Sequence, residues 1–384
     1  MLPQTSRPEE ESGLPRRPHI LHAFATFRLG GPQARTLALL SRIPDRFSHT
    51  IMAMDGNFEA SAGLDGQVRV TLRQPPRRRT SVVYPWLLAR VVSEVRPDLV
   101  LTYNWGSMDA LAGARLASVA PIIHMEDGFG PDEAKSLKLR RVLARRVMLN
   151  TIHTTVVGSR NLLDIALHRY RVSPRRVRFI PNGVDVERIR PRRAPEWRRA
   201  LGFPESAPVF GFVGALRAEK NLEHLLGAFR DAEIPAARLV VVGQGPMRSS
   251  WEASARELGL GSQVVFTGYV EDQLPVLAGI DVFVMSSITE QAPMALLEAL
   301  AAGLPAICTD VGDTREILGP AQGRFVLPVG DRAGYAARLR ELAASPDLRA
   351  MLGSANRERA VSEYSLARMV RDYLDLFTAA LAGG

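Results

Sequence analysis

Short runs of apolar residues alternate with longer amphipathic stretches along almost the whole chain. The short runs are rich in Val, Ile and Phe and end at turn residues, as the strands of a buried parallel sheet do, and the stretches between them have helical periodicity. In the first half this pattern predicts strands at residues 19–24, 51–54, 98–103, 121–125, 154–157 and 177–180. Such βαβ alternation predicts a parallel sheet covered by helices.

The second half repeats the alternation, with strands predicted at residues 209–213, 238–242, 263–266, 281–285, 305–308 and 323–327. The 384 residues suffice for two ordinary cores, so we predict an α/β protein of two Rossmann-like domains in tandem. Between them, residues 181–185 read Pro-Asn-Gly-Val-Asp and lead into a Pro- and Arg-rich stretch, which has the turn chemistry of a hinge. Because ligands of open α/β sheets bind beyond the carboxyl ends of the strands, we expect the domains to face each other across a cleft.

Charge is distributed unevenly between the two halves. Residues 1–189 hold 28 Lys and Arg against 17 Asp and Glu, whereas residues 190–384 hold 21 against 23. A basic first half would attract an anionic membrane or nucleic acid, but 46 of the 49 basic residues are Arg, which also fits a compositional bias. No apolar run of 18 residues and no signal peptide is found, and the one cysteine, Cys308, falls in a predicted strand. We expect a cytoplasmic protein, peripheral at the inner face of the cell membrane if the basic half binds lipid.

Two carboxylates flank the start of a strongly apolar helix in the second half. Glu290 lies in the loop before the helix, Pro293 is predicted at its first position, and Glu298 lies inside it. A carboxylate on an otherwise apolar helix is costly unless something pairs with it, and a vicinal diol could donate two hydrogen bonds. The alternative is that both glutamates are ordinary solvated residues. The spacing alone does not decide between these interpretations.

Two cations follow the predicted strand 209–213. Arg217 offers a planar fork of donors and Lys220 a compact charge, and both suit a diphosphate whose charge grows as it leaves; a surface ion pair is the alternative. After the next strand, Gly243 and Gly245 would let the backbone approach a ligand closely, although Gly-x-Gly is weak evidence. The third glycine of a dinucleotide fingerprint is missing, which argues against a nicotinamide-dependent oxidoreductase.

The first half contributes two further candidates at the ends of predicted strands. Gly30 and Gly31 precede a helix predicted at residues 32–41 and could admit a phosphate or a sugar, or only form a tight turn. His124 lies in strand 121–125, just before the polar loop that begins with Glu126 and Asp127, and could reach the cleft. A lone histidine in a strand is also commonly a core residue with satisfied hydrogen bonds. No metal-ligand spacing or serine elbow is found.

Taken together, these segments resemble the retaining nucleotide-sugar glycosyltransferases of family 4, which have the GT-B fold. The resemblance covers nearly the whole chain and is carried by Phe-Ile-Pro-Asn-Gly-Val-Asp at 179–185, the segment 214–222, Gly-Gln-Gly-Pro at 243–246, Val-Phe-Thr-Gly-Tyr-Val at 265–270, the Glu290 to Glu298 segment, and Thr-Asp-Val-Gly-Asp at 309–313. It implies a disordered segment 1–17, an acceptor-binding domain 18–184, a nucleotide-sugar-binding domain 185–364, and a C-terminal helix 365–384 that packs back on the first domain.

The resemblance also implies roles for individual residues. Glu298 would hold the donor ribose, Glu290 and His124 would contact the transferred sugar, and Arg217 with Lys220 would grip the diphosphate, with Gly30, Gly31 and Gly243 near the donor. Many relatives have Gly-Phe-Gly after the first glutamate, whereas this chain has Gln291-Ala292-Pro293; the amides of Ala292, Met294 and Ala295 would still form an anion site at the helix start. The implied reaction moves a sugar from a nucleoside-diphosphate sugar to a glycan or lipid-linked acceptor without cofactor or metal.

Two rival functions follow from the same observations. A non-hydrolysing sugar-nucleotide epimerase could have the same two-domain fold and would release no transfer product. A nucleic-acid-binding protein would explain the basic first half, but aromatic residues make up only 7% of the chain and are not interleaved with the arginines. We therefore predict no nucleic-acid partner.

Overall fold

The computed structural model describes residues 16–80, 82–119, 121–128 and 137–383. Within this part of the chain, two parallel sheets of seven and six strands form separate domains. The first sheet has the strand order β3-β2-β1-β4-β5-β6-β7 and the second β10-β9-β8-β11-β12-β13. The strands are β1 His19–Phe24, β2 Ser48–Ala53, β3 Val70–Arg73, β4 Leu99–Tyr103, β5 Ile122–Glu126, β6 Thr154–Val157, β7 Val177–Phe179, β8 Val209–Val213, β9 Arg238–Val242, β10 Val264–Gly268, β11 Val282–Met285, β12 Ala306–Thr309 and β13 Val326–Leu327.

Helices cover both faces of each sheet, as expected for βαβ connections. They are α1 Gly31–Arg42, α2 Tyr84–Val95, α3 Met108–Leu116, α4 Leu139–Met148, α5 Arg160–Asp164, α6 Pro195–Ala200, α7 Leu222–Asp231, α8 Arg248–Glu257, α9 Leu274–Gly279, α10 Met294–Ala301, α11 Thr314–Leu318, α12 Arg332–Ala344, α13 Pro346–Glu363 and α14 Leu366–Ala382. On the first sheet, α1 and α14 pack on one face and α2, α3, α4 and α5 on the other. The predicted fold of two Rossmann-like α/β domains is confirmed.

Each sheet has a point at which the strand order reverses. In the first sheet β1 is flanked by β2 and β4, and in the second β8 is flanked by β9 and β11. Crevices beyond the carboxyl ends of strands at such switch points are where open α/β sheets bind ligands. The loops after β8 and β11 are therefore the first places to look for a site in the second domain.

The prediction missed one strand, β3, which lies at the edge of the first sheet. Its residues are intermediate or exposed in burial, with Leu72 44% exposed. Since β3 lacks a buried face, the apolar run that marks the other strands is absent. The helix after β11 was also misjudged by one residue, because Pro293 is the extended N-cap and the helix begins at Met294.

The two chain crossings between the domains lie side by side. Val184 and Ser365 form a parallel bridge, in which Val184 N–H donates to the Tyr364 carbonyl and Leu366 N–H donates to the Val184 carbonyl, both at 2.8 Å. From this hinge α14 runs back along the first domain, where Met369, Tyr373 and Phe377 are buried in the core against β1 and α1. The predicted packing of the C-terminal helix on the first domain is thus correct.

The N-terminal segment was predicted as disordered over residues 1–17. Residues 1–15 lie outside the described part of the chain. Arg16 pairs with Asp98, and Arg17 pairs with Asp45 at 3.1 Å. No helix among the described residues is long and apolar enough to cross a membrane.

Candidate functional site

The loops after β8 and β11 meet at the switch point of the second domain. Lys220, at the end of the β8 loop, forms an ion pair with Glu290 of the β11 loop, and the Ser287 hydroxyl donates to the same Glu290 oxygen at 2.7 Å. Both members of the ion pair are largely buried, with side chains 22% and 13% exposed. The structure therefore brings together two residues that the sequence predicted separately, and adds Ser287, which no motif had indicated.

Arg217 lies on the same loop but in a different environment. It is exposed, and none of the described residues forms an ion pair with its guanidinium. Its backbone is extended, and the short 3₁₀ turn at residues 218–220 follows it directly. Arg217 is thus available for an incoming anion, whereas Lys220 is already neutralised by Glu290.

The start of α10 presents free backbone donors beside this ion pair. Pro293 has no N–H, and none of the described residues accepts a hydrogen bond from the amides of Met294 or Ala295. Ala292 and both of these residues are only partly buried. Unpaired N–H groups at the positive end of a helix dipole attract anions.

Glu298 lies one turn further along α10. Five of its helix neighbours are fully buried, namely Leu296, Leu297, Ala299, Leu300 and Ala301. Burial raises the pKa of Glu298 to about 7, and nearby Arg188 offsets this only in part. A carboxyl so placed gains most from a partner that donates hydrogen bonds to its ionised form.

The glycine at 243 has a structural explanation. Its φ is +140°, and a Cβ there would lie 1.9 Å from the carbonyl oxygen of Gly214. Likewise, a Cβ at Gly245 would lie 2.3 Å from the carbonyl oxygen of Leu216. The turn after β9 thus packs directly on the loop that carries Arg217. Gly243 must be glycine because its backbone lies close to this loop. A direct contact of Gly243 with a donor remains a prediction.

Gly30 and Gly31 lie in the first domain, at the start of α1. Gly30 is the N-cap with φ −163°, and both residues are exposed. A Cβ at Gly31 would meet nothing within 4 Å. Packing therefore does not account for the glycine at 31, and the space above it is open to a ligand.

Behind this loop is a buried ion pair that the sequence did not reveal. Arg35 of α1 holds Asp127 with two hydrogen bonds, one of them from Nη2 to Oδ2 at 2.9 Å, and also donates to Asn182 at 3.3 Å. The side chains are 7% and 13% exposed. This pair fixes the loop after β5 to α1. Asn104 completes the arrangement by accepting a hydrogen bond from the Asp127 N–H at 2.7 Å.

Among the described residues, His124 does not line an open cleft, which was one of the two environments predicted for it. It is fully buried in the middle of β5, where its Nδ1 bonds the Thr102 hydroxyl at 2.8 Å and its Nε2 lies 3.4 Å from Glu126. Glu126 in turn accepts two hydrogen bonds from the buried Arg145. The alternative of a core histidine with satisfied hydrogen bonds fits this geometry. Any part in the reaction remains a prediction for His124.

The loop after β11 in the second domain and the loop after β12 touch the first domain. Gln291 accepts a hydrogen bond from the Asn161 amide at 3.0 Å, and the Asp313 carboxylate accepts the backbone N–H groups of Arg160 and Asn161 at 2.5 and 3.0 Å. Asp313 N–H also donates to the Gln291 carbonyl at 2.8 Å. The Asp313 side chain of the second domain thus caps α5 of the first domain. Burial of this carboxyl raises its pKa.

Chemically, the arrangement can bind a ligand with an anionic centre flanked by hydroxyl groups. Arg217 and the α10 amides suit the anion, while Glu290 and Glu298 suit hydroxyl donors on either side. Two Rossmann-like domains that meet at such an edge define the class of GT-B glycosyltransferases.

Comparison with known proteins gives the family within that class. The model of glycosyl transferases group 1 matches residues 193–359, and the model of glycosyltransferase family 4 matches residues 29–188. The 2-deoxystreptamine N-acetyl-D-glucosaminyltransferase of Streptomyces fradiae is 30% identical over 399 aligned positions, covering 88% of this chain and 91% of that protein. The chain therefore belongs to the group 1, family 4 glycosyltransferases.

Two further similarities extend this assignment. The putative glycosyltransferase EpsD of Bacillus subtilis is 35% identical over 202 residues, which span 51% of this chain and only 53% of EpsD. The crystal structure of HepE from Anabaena in complex with UDP matches 94% of this chain and all of that one, with a TM-score of 0.83 at 16% identity. At this identity the match supports the GT-B fold.

Proposed function

We propose that the protein transfers a sugar from a nucleoside-diphosphate sugar to an acceptor hydroxyl with retention of anomeric configuration. The observation that carries this proposal is the cluster at the switch point of the second domain: Lys220 pairs with Glu290, and the amides of Met294 and Ala295, at the start of the following helix, have no hydrogen-bond acceptor among the described residues. HepE, which shares the fold, binds UDP in its crystal structure, and this supports a nucleotide-sugar donor.

In the proposed mechanism the diphosphate is held by Arg217, Lys220 and the start of α10. These groups stabilise the negative charge that grows on the leaving phosphate, and they are in place before the reaction begins. The acceptor hydroxyl attacks the anomeric carbon on the face from which the diphosphate departs, so the carbon–oxygen bond to the phosphate breaks as the bond to the acceptor forms. A phosphate oxygen takes the acceptor's proton, and no protein base is required.

The two glutamates divide the recognition of the donor. Glu298 accepts hydrogen bonds from the ribose diol, which relieves the cost of keeping its carboxylate charged on an apolar helix. Glu290 contacts a hydroxyl of the transferred sugar. Since Glu290 also accepts a hydrogen bond from Lys220, the ion pair links the carboxylate that contacts the sugar to the ammonium group that contacts the diphosphate.

The acceptor is proposed to be a glycan or lipid-linked intermediate of envelope polysaccharide, lipopolysaccharide or glycolipid synthesis, used at the inner face of the cell membrane. The first domain provides the acceptor side of the cleft, and Gly30 and Gly31 at its open loop lie near the donor. Closure of the domains would exclude water and limit hydrolysis of the donor.

The test is a thermal-shift screen with UDP-, GDP-, ADP- and dTDP-sugars. A ligand at about 100 times its Kd stabilises the folded protein by about 2.7 kcal/mol, so a binder should raise the Tm clearly. We expect Arg217→Ala and Glu298→Ala to reduce that shift, while the exposed control Arg256→Ala keeps it. If no nucleotide sugar raises the Tm, the proposed donor site is wrong.

Product analysis then separates transfer from epimerisation. Incubation of the best donor with lipid-linked or glycan acceptors should yield a glycosylated product and free nucleoside diphosphate. Conversion of the donor to its epimer, with no transfer product, would instead support the epimerase alternative. The anomeric configuration of the product, read by NMR, tests retention.

A further inference from the structure

The outer surface of α4 carries an unusual row of apolar side chains. Leu139, Leu143 and Val147 are 73%, 48% and 66% exposed, and they follow one another at intervals of four residues. Residues four apart lie above one another on a helix, so the three form a continuous stripe. The opposite side of α4 packs inward, where Val142 and Met148 join the core.

A second apolar group lies at the start of α2. Val82, Val83 and Trp86 are 79%, 42% and 61% exposed. Tryptophan is enriched where a protein meets the headgroup region of a bilayer, because its ring combines an apolar body with a polar N–H.

Both groups belong to the same side of the first domain. The inner faces of α2 and α4 pack on one core cluster, on the face of the sheet opposite α1 and α14. Each helix also follows a strand of a parallel sheet, since α2 comes after β3 and α4 after β5. Their N-terminal ends therefore lie towards the carboxyl edge of the sheet, which is the edge of the proposed acceptor cleft.

Exposed cations accompany the apolar groups. Arg77, Arg78 and Arg79 precede α2, and Arg140 lies next to Leu139 on α4; all four are exposed. Asp109 approaches one of them, Arg78, at 3.6 Å. A surface that combines apolar side chains with arginines complements a bilayer that contains anionic lipid, because the former enter the headgroup boundary and the latter meet its charge.

We propose that this surface, formed by residues 77–79, 82, 83, 86, 139, 140, 143 and 147, docks the protein on an anionic lipid membrane. The inference rests on the proposed function, because docking would serve to present the acceptor cleft to lipid-linked substrates. It deepens that function by naming the surface and the lipid chemistry. Dependence of binding on the apolar stripe of α4 would also distinguish this surface from a nucleic-acid site, whose affinity comes mainly from cations that contact phosphates.

Vesicle sedimentation tests the docking surface without donor or acceptor. Wild-type protein should pellet with vesicles of phosphatidylcholine and phosphatidylglycerol and much less with phosphatidylcholine alone. The variant Leu139→Ser/Leu143→Ser/Val147→Ser should lower the partition coefficient at least tenfold. A matched variant of exposed apolar residues in the second domain, Met351→Ser/Val361→Ser, should bind like wild type.

Charge variants complete the experiment. Arg77→Gln/Arg79→Gln/Arg140→Gln should weaken binding to anionic vesicles and flatten its salt dependence. The control Arg192→Gln/Arg193→Gln/Arg256→Gln removes the same charge from exposed arginines of the second half and should have little effect. Circular dichroism and Tm verify that each variant is folded.

Three results would overturn the proposal. The first is that the wild type does not bind vesicles, and the second is that the test and control variants lose vesicle binding equally. The third is that the protein binds single-stranded RNA, that the arginine substitutions abolish this binding, and that the serine variant binds vesicles as the wild type does. Failure of the proposed function is detected by a different measurement, the shift in Tm caused by nucleotide sugars, which does not depend on lipid. Normal donor binding without vesicle binding would reject the surface alone.

Discussion

Glu298 shows how a single buried carboxyl can report on both folding and binding. Burial raises its pKa to about 7, so the folded protein holds a proton that the unfolded chain releases near the ordinary value of 4.5. The folded state is therefore favoured below pH 4.5, and this contribution is lost as the pH rises through 7. The substitution Glu298→Gln removes the titrating carboxyl group and keeps the shape of the side chain.

We expect Glu298→Gln to gain stability relative to wild type as the pH rises from 5 to 8. The gain cannot exceed about 3 kcal/mol, because a shift of one pKa unit corresponds to 1.36 kcal/mol and Glu298 retains some solvent contact. Urea denaturation of both proteins at several pH values measures it. Glu257→Gln, at an exposed position of α8, is the control; a difference for Glu298→Gln that varies with pH no more than that of the control would contradict the prediction.

The same group should make nucleotide binding depend on pH. A diol donates hydrogen bonds to the ionised carboxylate, so the affinity of wild type for its nucleoside diphosphate should rise between pH 6 and 8 relative to that of Glu298→Gln. Isothermal titration calorimetry of the two proteins in the same buffers cancels the titration of the phosphate itself. Parallel pH profiles would argue that Glu298 does not touch the ribose.

The sequence indicated the candidate site residues that directly follow a recognisable strand. Lys220 and Glu290 each followed a recognisable strand, and the parallel sheet brings them into contact. The Arg35–Asp127 pair joins residues 92 positions apart, and no local pattern marks either one. For His124, the sequence predicts the strand and its end but not the burial of the side chain, because neighbours from β4 and α4 determine that burial.

At the scale of elements, the strands with a buried apolar run were predicted from the sequence, and the exposed edge strand β3 was not. The bounds of β1, β6, β8 and β9 agree with the sequence prediction, since each is an apolar run between turn residues. Although β13 was expected at residues 323–327, a 3₁₀ turn occupies residues 320–325 and leaves only Val326–Leu327 as strand. Tertiary packing determines where such a strand begins, which explains why sequence periodicity alone predicts the first residue of the strand poorly.

The hinge offers a sharp test of element packing. A Cβ at Gly183 would lie 2.8 Å from both Leu366 Cα and Met369 Cβ, so the hinge and α14 would have to separate. We expect Gly183→Ala to cost about 1–3 kcal/mol of unfolding free energy, as overpacking does. Denaturant unfolding measures this, with Gly261→Ala as the control because a Cβ there meets nothing within 4 Å. If Gly183→Ala were as stable as wild type, α14 would have to shift freely to admit the added methyl group.

At the scale of the whole molecule, Asp313 connects the loop after β11 to the first domain. Its carboxylate accepts two backbone N–H groups of α5, and its own N–H bonds Gln291 next to Glu290. Charged acceptors make strong hydrogen bonds to backbone donors. The contact therefore favours the arrangement of the two domains that the structure shows.

We expect Asp313→Ala to open the cleft. Small-angle X-ray scattering should show a larger radius of gyration than for wild type, and calorimetry should show weaker nucleotide binding. Glu316→Ala is the matched control, since Glu316 approaches Arg160 across the same interface at 3.7 Å but is 53% exposed, and exposed ion pairs contribute little. An unchanged radius in Asp313→Ala would mean that other contacts hold the domains together.

The position of α14 also bears on how the chain folds as it is made. Met369, Tyr373 and Phe377 complete the core of the first domain, yet they follow the entire second domain in the sequence. A ribosome releasing this chain would expose an unfinished apolar face on the first domain until the second had emerged. The first domain would thus be the last to reach its final stability, and a chain cut short before residue 366 would be a target for chaperones and proteases.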